Sequence, residues 1–248
     1  MLALPSLADL MAYVEMISDA DLRAKVRAFL EEQKVLLTGQ TFSLEESPGG
    51  RSHHHAYPGG LLQHTLATVK LALALCDVVE GIYGAEVNRD VVLAATILHD
   101  VMKAPCYMEL ENGRYLLSPL GERLDHVTLA VSELARRGFP LEVLHAVAAH
   151  HAEHGPTSPK TLEALIVHVA DLADAKLNGE VLRAARFLLR EAVGQEPVRL
   201  SHEHAFGLVI AKAREGWEGV RRYAEEAGLI PRAGEGEGKG PISGQQKP

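Results

Sequence analysis

Val91 to Lys103 reads VVLAATILHDVMK, and this stretch decides how the chain is read. Seven of the eight residues from Val91 to Leu98 are apolar and the eighth is Thr96, so no polar face remains. The predicted helix starts near Asn88, ends by Met102, and stops before Pro105, which disfavours helix at the residue preceding it. His99 and Asp100 close the run. Consecutive residues on a straight helix point about 100° apart, so the two converge on one point only where the helix is ending. Taken alone, the pair reads as an exposed helix end with a histidine facing the negative pole of the dipole. An aspartate directly behind an apolar helix is costly to bury without a cation or several donors.

Two other apolar segments carry the same kind of residue. His64 lies in GGLLQHTLATVKLAL, where Leu61, Leu62, Leu66, Val69 and Leu73 leave little exposed surface. Asp171 lies in LEALIVHVADLADAK, with His168 one turn earlier. A buried histidine is readily satisfied by a backbone carbonyl, but buried aspartates are rare. Two His and two Asp on separate apolar surfaces are most simply explained by one shared metal ion with mixed N/O ligands.

The order His64, His99-Asp100, Asp171 resembles the defining pattern of the HD superfamily of metal-dependent phosphohydrolases. HDVMK is similar to that family's frequent HDIGK, and the likeness runs from about residue 54 to residue 176. It implies an all-α, HD-type helical bundle. It also implies two divalent transition-metal ions, Fe2+ or Mn2+ with Zn2+ compatible, that activate a water for attack on phosphorus. By the resemblance Asp100 bridges the two ions and His126 and His150 complete the second site, with His151 close by. Lys103 would hold a phosphate oxygen. His54, His55 and Arg51, with Tyr57, precede the first ligand helix and are candidates to line the site, as is His168; the residues alone do not fix which way His53, His54 and His55 point. Some relatives hold a third ion through a Glu four residues before the first His; Gly60 stands there, so the likeness stops at two.

Around this core the spacing of apolar residues predicts helices at 6–18, 20–36, 61–80, 122–136, 140–151, 159–176, 179–193 and 201–227, with Ser6 and Asp19 as caps. Thr38 to Gly60 reads as a long ordered loop. Asn112-Gly113 between apolar flanks predicts one hairpin near 107–117, the only β-structure expected. Residues 231–248 have almost nothing to bury and read as a disordered tail, leaving one helical domain over 1–230.

The formal charge of −8 argues against a surface that tracks a nucleic-acid backbone. Cys76 and Cys106 form no Cys-x-x-Cys pair, and two free thiols suit a reducing cytoplasm. No run reaches the length of a membrane span. HHHAYPGGLLQHTL is similar to the HD domain of 3′→5′ exoribonucleases that carry an OB-fold, but the first 50 residues here are helical in pattern. Stand-alone archaeal HD proteins are similar as well, and they imply a small cyclic phosphodiester, dihydroneopterin 2′,3′-cyclic phosphate or a 2′,3′-cyclic nucleotide. The alternatives are an exoribonuclease, a nucleotide phosphohydrolase, or a regulatory module that holds metal or nucleotide without turnover. Oligomeric state is not legible.

Overall fold

The computed structural model describes residues 5–194, 197 and 199–230, and helices dominate them. Ser6 caps α1 (Leu7–Val14) through a reciprocal bond with Asp9, and Asp19 caps α2 (Ala20–Glu32) by accepting from Asp21 and Leu22. After the loop come α3 (Gly60–Tyr83) and α4 (Arg89–Leu98), the latter capped by Asn88. Every residue of α4 from Val91 to Leu98 is buried, which is why its sequence has no polar stripe. It packs against α1, α2, α3 and α7 (Leu141–Ala149). α5 (Lys103–Cys106) leads into the hairpin of β1 (Tyr107–Glu109) and β2 (Tyr115–Leu117), antiparallel with Met108 opposite Leu116. α6 (His126–Arg136) starts at its Asp125 cap, four residues later than the apolar spacing suggests. A 3-10 turn, Ala152–His154, precedes α8 (Leu162–Val193), and α9 (His202–Glu226) ends the described part.

Two expectations are corrected. The helices predicted at 159–176 and 179–193 are one continuous α8. The weak helix formers Asn178 and Gly179 are carried through because Asn178 accepts a hydrogen bond from the His55 N–H, and Gly179 lies under His53. Besides the hairpin, Lys34 and Thr41 form an isolated antiparallel bridge. The described chain falls into two compact units, the first ending at Glu180 and the second starting at Val181.

In the first unit one large core joins Leu10, Phe29, Leu62, Ile97, Met102, Leu129 and Val147. The second, from Val181 on, has its own small core of Leu182, Leu189, Leu208 and Val220, and Gly216 breaks the helical backbone of α9. No described helix is long and apolar enough to cross a membrane. The proposed tail, 231–248, lies outside the described residues.

Candidate metal centre

The apolar run of α4 delivers His99 to the helix cap and Asp100 to the turn after it, both fully buried. His64 arrives from the first turns of α3 and Asp171 from α8. His64 Nε2 lies 3.2 Å from Asp100 Oδ2, 3.1 Å from Asp171 Oδ1 and 3.2 Å from His99 Nε2. His99 Nε2 is 3.4 Å from Asp100 Oδ2 and 3.7 Å from Asp171 Oδ1. The other oxygen of Asp100 faces the opposite way: Oδ1 is 3.2 Å from His126 Nε2 and 3.6 Å from His150 Nε2.

The second nitrogen of each ring fixes its orientation. His99 Nδ1 lies 2.7 Å from the Thr96 carbonyl, and His150 Nδ1 lies 2.6 Å from the Val147 carbonyl. A carbonyl only accepts, so both Nδ1 atoms carry the proton and both Nε2 atoms present lone pairs. The same device appears twice: a helix ends, its last carbonyls fall free, and a histidine three residues on takes one of them. His168 Nδ1 in turn lies 2.6 Å from the His150 carbonyl.

Such an arrangement calls for positive charge. Between the Nε2 atoms of His64 and His99 either a proton or a metal ion must sit. Burial pushes the His64 pKa down, but Asp100, Asp171 and Asp174 outweigh it, so the imidazole is held well above its usual range. Burial opposes the Asp100 charge, yet Lys103, His99, His126 and His150 hold that carboxyl well below the usual range. Asp171 is likewise low: burial opposes its charge, but His64 and His99 prevail. On the far side Asp100 Oδ1, His126 Nε2 and His150 Nε2 are buried and make no hydrogen bond. Buried polar atoms without a partner are costly, and one cation among these three would satisfy all of them. Two groups therefore fit a divalent ion, His64–His99–Asp100–Asp171 and Asp100–His126–His150–His151, with Asp100 common to both.

The remaining candidates are placed as follows. Lys103 is buried, donates to Asp100 Oδ2, and is held above its usual range by Asp100 and Asp171 against the effect of burial. His151 stacks 4.0 Å from His150 and 5.2 Å from His126, and burial pushes it down to about 3. His54 and His55 lie 5.3 and 5.2 Å from the His64 ring, and burial lowers His54 to about 3. Both point inward, whereas His53 and Arg51 are exposed. Sequence reasoning missed Asp174, 2.6 Å from His64 Nδ1, and Asn178. Their spacing of three and seven residues from Asp171 puts all three on one helical face, which was the available signal.

The HD-domain family model matches residues 61–176, which contain both candidate ligand groups. A second model, TraI_2 (putative helicase), matches residues 7–104 and so overlaps the first over 61–104, and the sequence has no GxxxxGK[ST] phosphate loop. The chain belongs to the HD-domain family and is a phosphodiesterase homologue within it. Dihydroneopterin 2′,3′-cyclic phosphate phosphodiesterase of Methanocaldococcus jannaschii is 44% identical over 185 residues, 73% of this chain and 74% of that protein. The 3′-5′ exoribonuclease YhaM of Oceanobacillus iheyensis is 33% identical over 62% of this chain, and that of Bacillus subtilis 30% over 53%. The matched parts are only 47% and 43% of those exoribonucleases. No solved structure matches.

Proposed function

We propose that this protein is a metal-dependent phosphodiesterase that opens a small cyclic phosphodiester, with dihydroneopterin 2′,3′-cyclic phosphate the favoured substrate and 2′,3′-cyclic nucleotides next. The observation that carries this reading is 44% identity to a phosphodiesterase of that substrate over nearly three quarters of both chains. The two adjoining groups with unsatisfied nitrogens and oxygens support it.

His64, His99, Asp100 and Asp171 would hold one ion, and Asp100, His126 and His150 the other. His151 stands beside the second. Imidazole and carboxylate donors suit Fe2+ or Mn2+ and are compatible with Zn2+. When bound, such a pair supplies an activated water and neutralises charge on the phosphate. The protein's own part is to hold the ligands dry and pre-aimed. Lys103, an ammonium beside Asp100, would take a non-bridging phosphate oxygen. Neutral His54 and His151 would flank the phosphate as hydrogen-bonding partners that add no charge. Water adds to phosphorus, one ring P–O bond breaks, and the departing oxygen takes up a proton, leaving a monophosphate. The two free buried thiols suit work in a reducing cytoplasm.

The test is a competition at matched metal and ionic strength. Dihydroneopterin 2′,3′-cyclic phosphate and simple 2′,3′-cyclic nucleotides are offered beside a short single-stranded RNA. Ring opening to a monophosphate, dependent on Asp100 and Lys103, is the expected result. Stepwise shortening of the RNA from its 3′ end, with the cyclic phosphates untouched, would replace this reading with the exoribonuclease one.

A further inference from the structure

His99 and His150 are oriented by carbonyls that fall free where their helices end, but His64 has no such resource. It sits inside α3, where the backbone carbonyls are engaged by the helix itself. Another helix supplies the acceptor: Asp174 Oδ2 lies 2.6 Å from His64 Nδ1. The same oxygen is 3.6 Å from His55 Nε2. Asp174 is buried, and one turn further along α8 Asn178 accepts from the His55 N–H at 2.8 Å.

The loop that carries His55 is built to hold it there. His55 adopts a left-handed backbone, φ 46°, which costs a residue with a Cβ about 1–2 kcal/mol. Gly49 and Gly60 make room for it: a Cβ would come within 2.7 Å of His55 Cβ at the first and 2.1 Å of the His55 carbonyl oxygen at the second. Nitrogens of His54, His55 and His64 lie within 4.8 Å of one another, a spacing that would suit an ion. Yet His64 has none left to give, since Nδ1 faces Asp174 and Nε2 faces Asp100 and Asp171. The loop imidazoles therefore do not form a further ion site; they are held against the first one.

We propose that Asp174 is the positioning residue of this centre. One carboxylate aims His64 Nε2 at the first ion position and, through His55, ties the 49–57 loop to the same ligand. The inference rests on the metal reading above. A carboxylate behind a ligand histidine fixes its tautomer and strengthens it as a donor, and losing such a partner typically costs 10- to 100-fold in metal affinity. The effect should fall on the ion held by His64 and not on the one held by His126 and His150.

The experiment is Mn2+ binding to the full chain, by chelator competition and electron paramagnetic resonance, for wild type and Asp174→Asn. The asparagine can still accept from Nδ1 but carries no charge. One of two Mn2+ equilibria should weaken by about 10- to 100-fold, while the other equilibrium and the melting temperature of the metal-free protein stay put. Equal affinities in the two proteins would overturn the proposal. So would an equal loss at both sites with a lower metal-free melting temperature, which is what a merely structural role predicts. Nuclear magnetic resonance of the Zn2+-loaded wild type gives a check that needs no variant. His64 should show a protected, downfield Nδ1–H with Nε2 as the ligand; coordination through Nδ1 would overturn the idea. A wild type that binds no Mn2+ would defeat the metal reading itself, a result distinct from those above.

Discussion

Asp100 illustrates how much a single buried carboxylate can be asked to do. Its Oδ2 serves His64, His99 and Lys103, and its Oδ1 faces His126 and His150. On the two-ion reading proposed above, Asp100→Asn should therefore release both ions together and lower turnover by about a thousand-fold, the loss of several kcal/mol of charge stabilisation. Metal content per chain and kcat/KM are the readouts. The same change leaves Lys103 buried without its counter-charge, which typically costs about 3–5 kcal/mol. The double variant Asp100→Asn with Lys103→Met should regain much of the lost melting temperature and none of the metal, separating the structural from the functional loss. His126→Ala should remove only the second ion, because His126 touches nothing in the first group apart from the shared Asp100. Full retention of metal and activity in that variant would eliminate the second site.

At the scale of elements, the site depends on ties between helices and loops. Glu133 on α6 is fully buried and accepts from the backbone N–H groups of Leu36 and Leu37 and from Arg137. Glu133→Gln should cost about 2 kcal/mol at pH 7, since hydrogen bonds to a charged group are the strong ones. Burial opposes its charge, but Leu36, Leu37 and Arg137 hold the carboxyl below its ordinary value of 4.5. A group with a depressed folded pKa stabilises fully above the unfolded value and loses that contribution as pH falls through the folded one. The gap between wild type and variant should thus be constant above about pH 5 and close on acidification below 4.5. Urea melts of both proteins, from neutral pH down to the acid range, measure it. The loop before α3 has a different weak point. Gly60→Ala would drive a methyl into the His55 carbonyl, so it should displace the loop and raise KM with little loss of metal. An unchanged KM would show that the loop does not meet substrate.

For the whole molecule, each candidate ligand falls in the first compact unit, while the second unit, from Val181, packs a small core of its own. Residues 231–248 carry almost no apolar side chain in sequence. Deleting them should leave the melting temperature and kcat/KM close to wild type; a fall of several degrees would show that they contribute to a packed surface.

Much of this was legible in the order of residues alone. The apolar run before His99-Asp100 announced a buried helix, and Ser6, Asp19 and Asn88 marked helix starts, because capping and periodicity are local chemistry. The ligand candidates were legible as well, since an imidazole or carboxylate stranded in an apolar segment must find a partner when that segment is buried. What lay outside the reach of sequence was non-local. Asn178-Gly179 continues a helix because the His55 loop rests on it, a contact across 123 residues. Asp174 looked like one more helical aspartate until α8 was laid beside α3. The unpaired atoms of Asp100, His126 and His150 exist only once three separate elements are packed together. Sequence determined which residues could bind; tertiary packing decided which atoms face one another, because direction is set by neighbours distant in the chain.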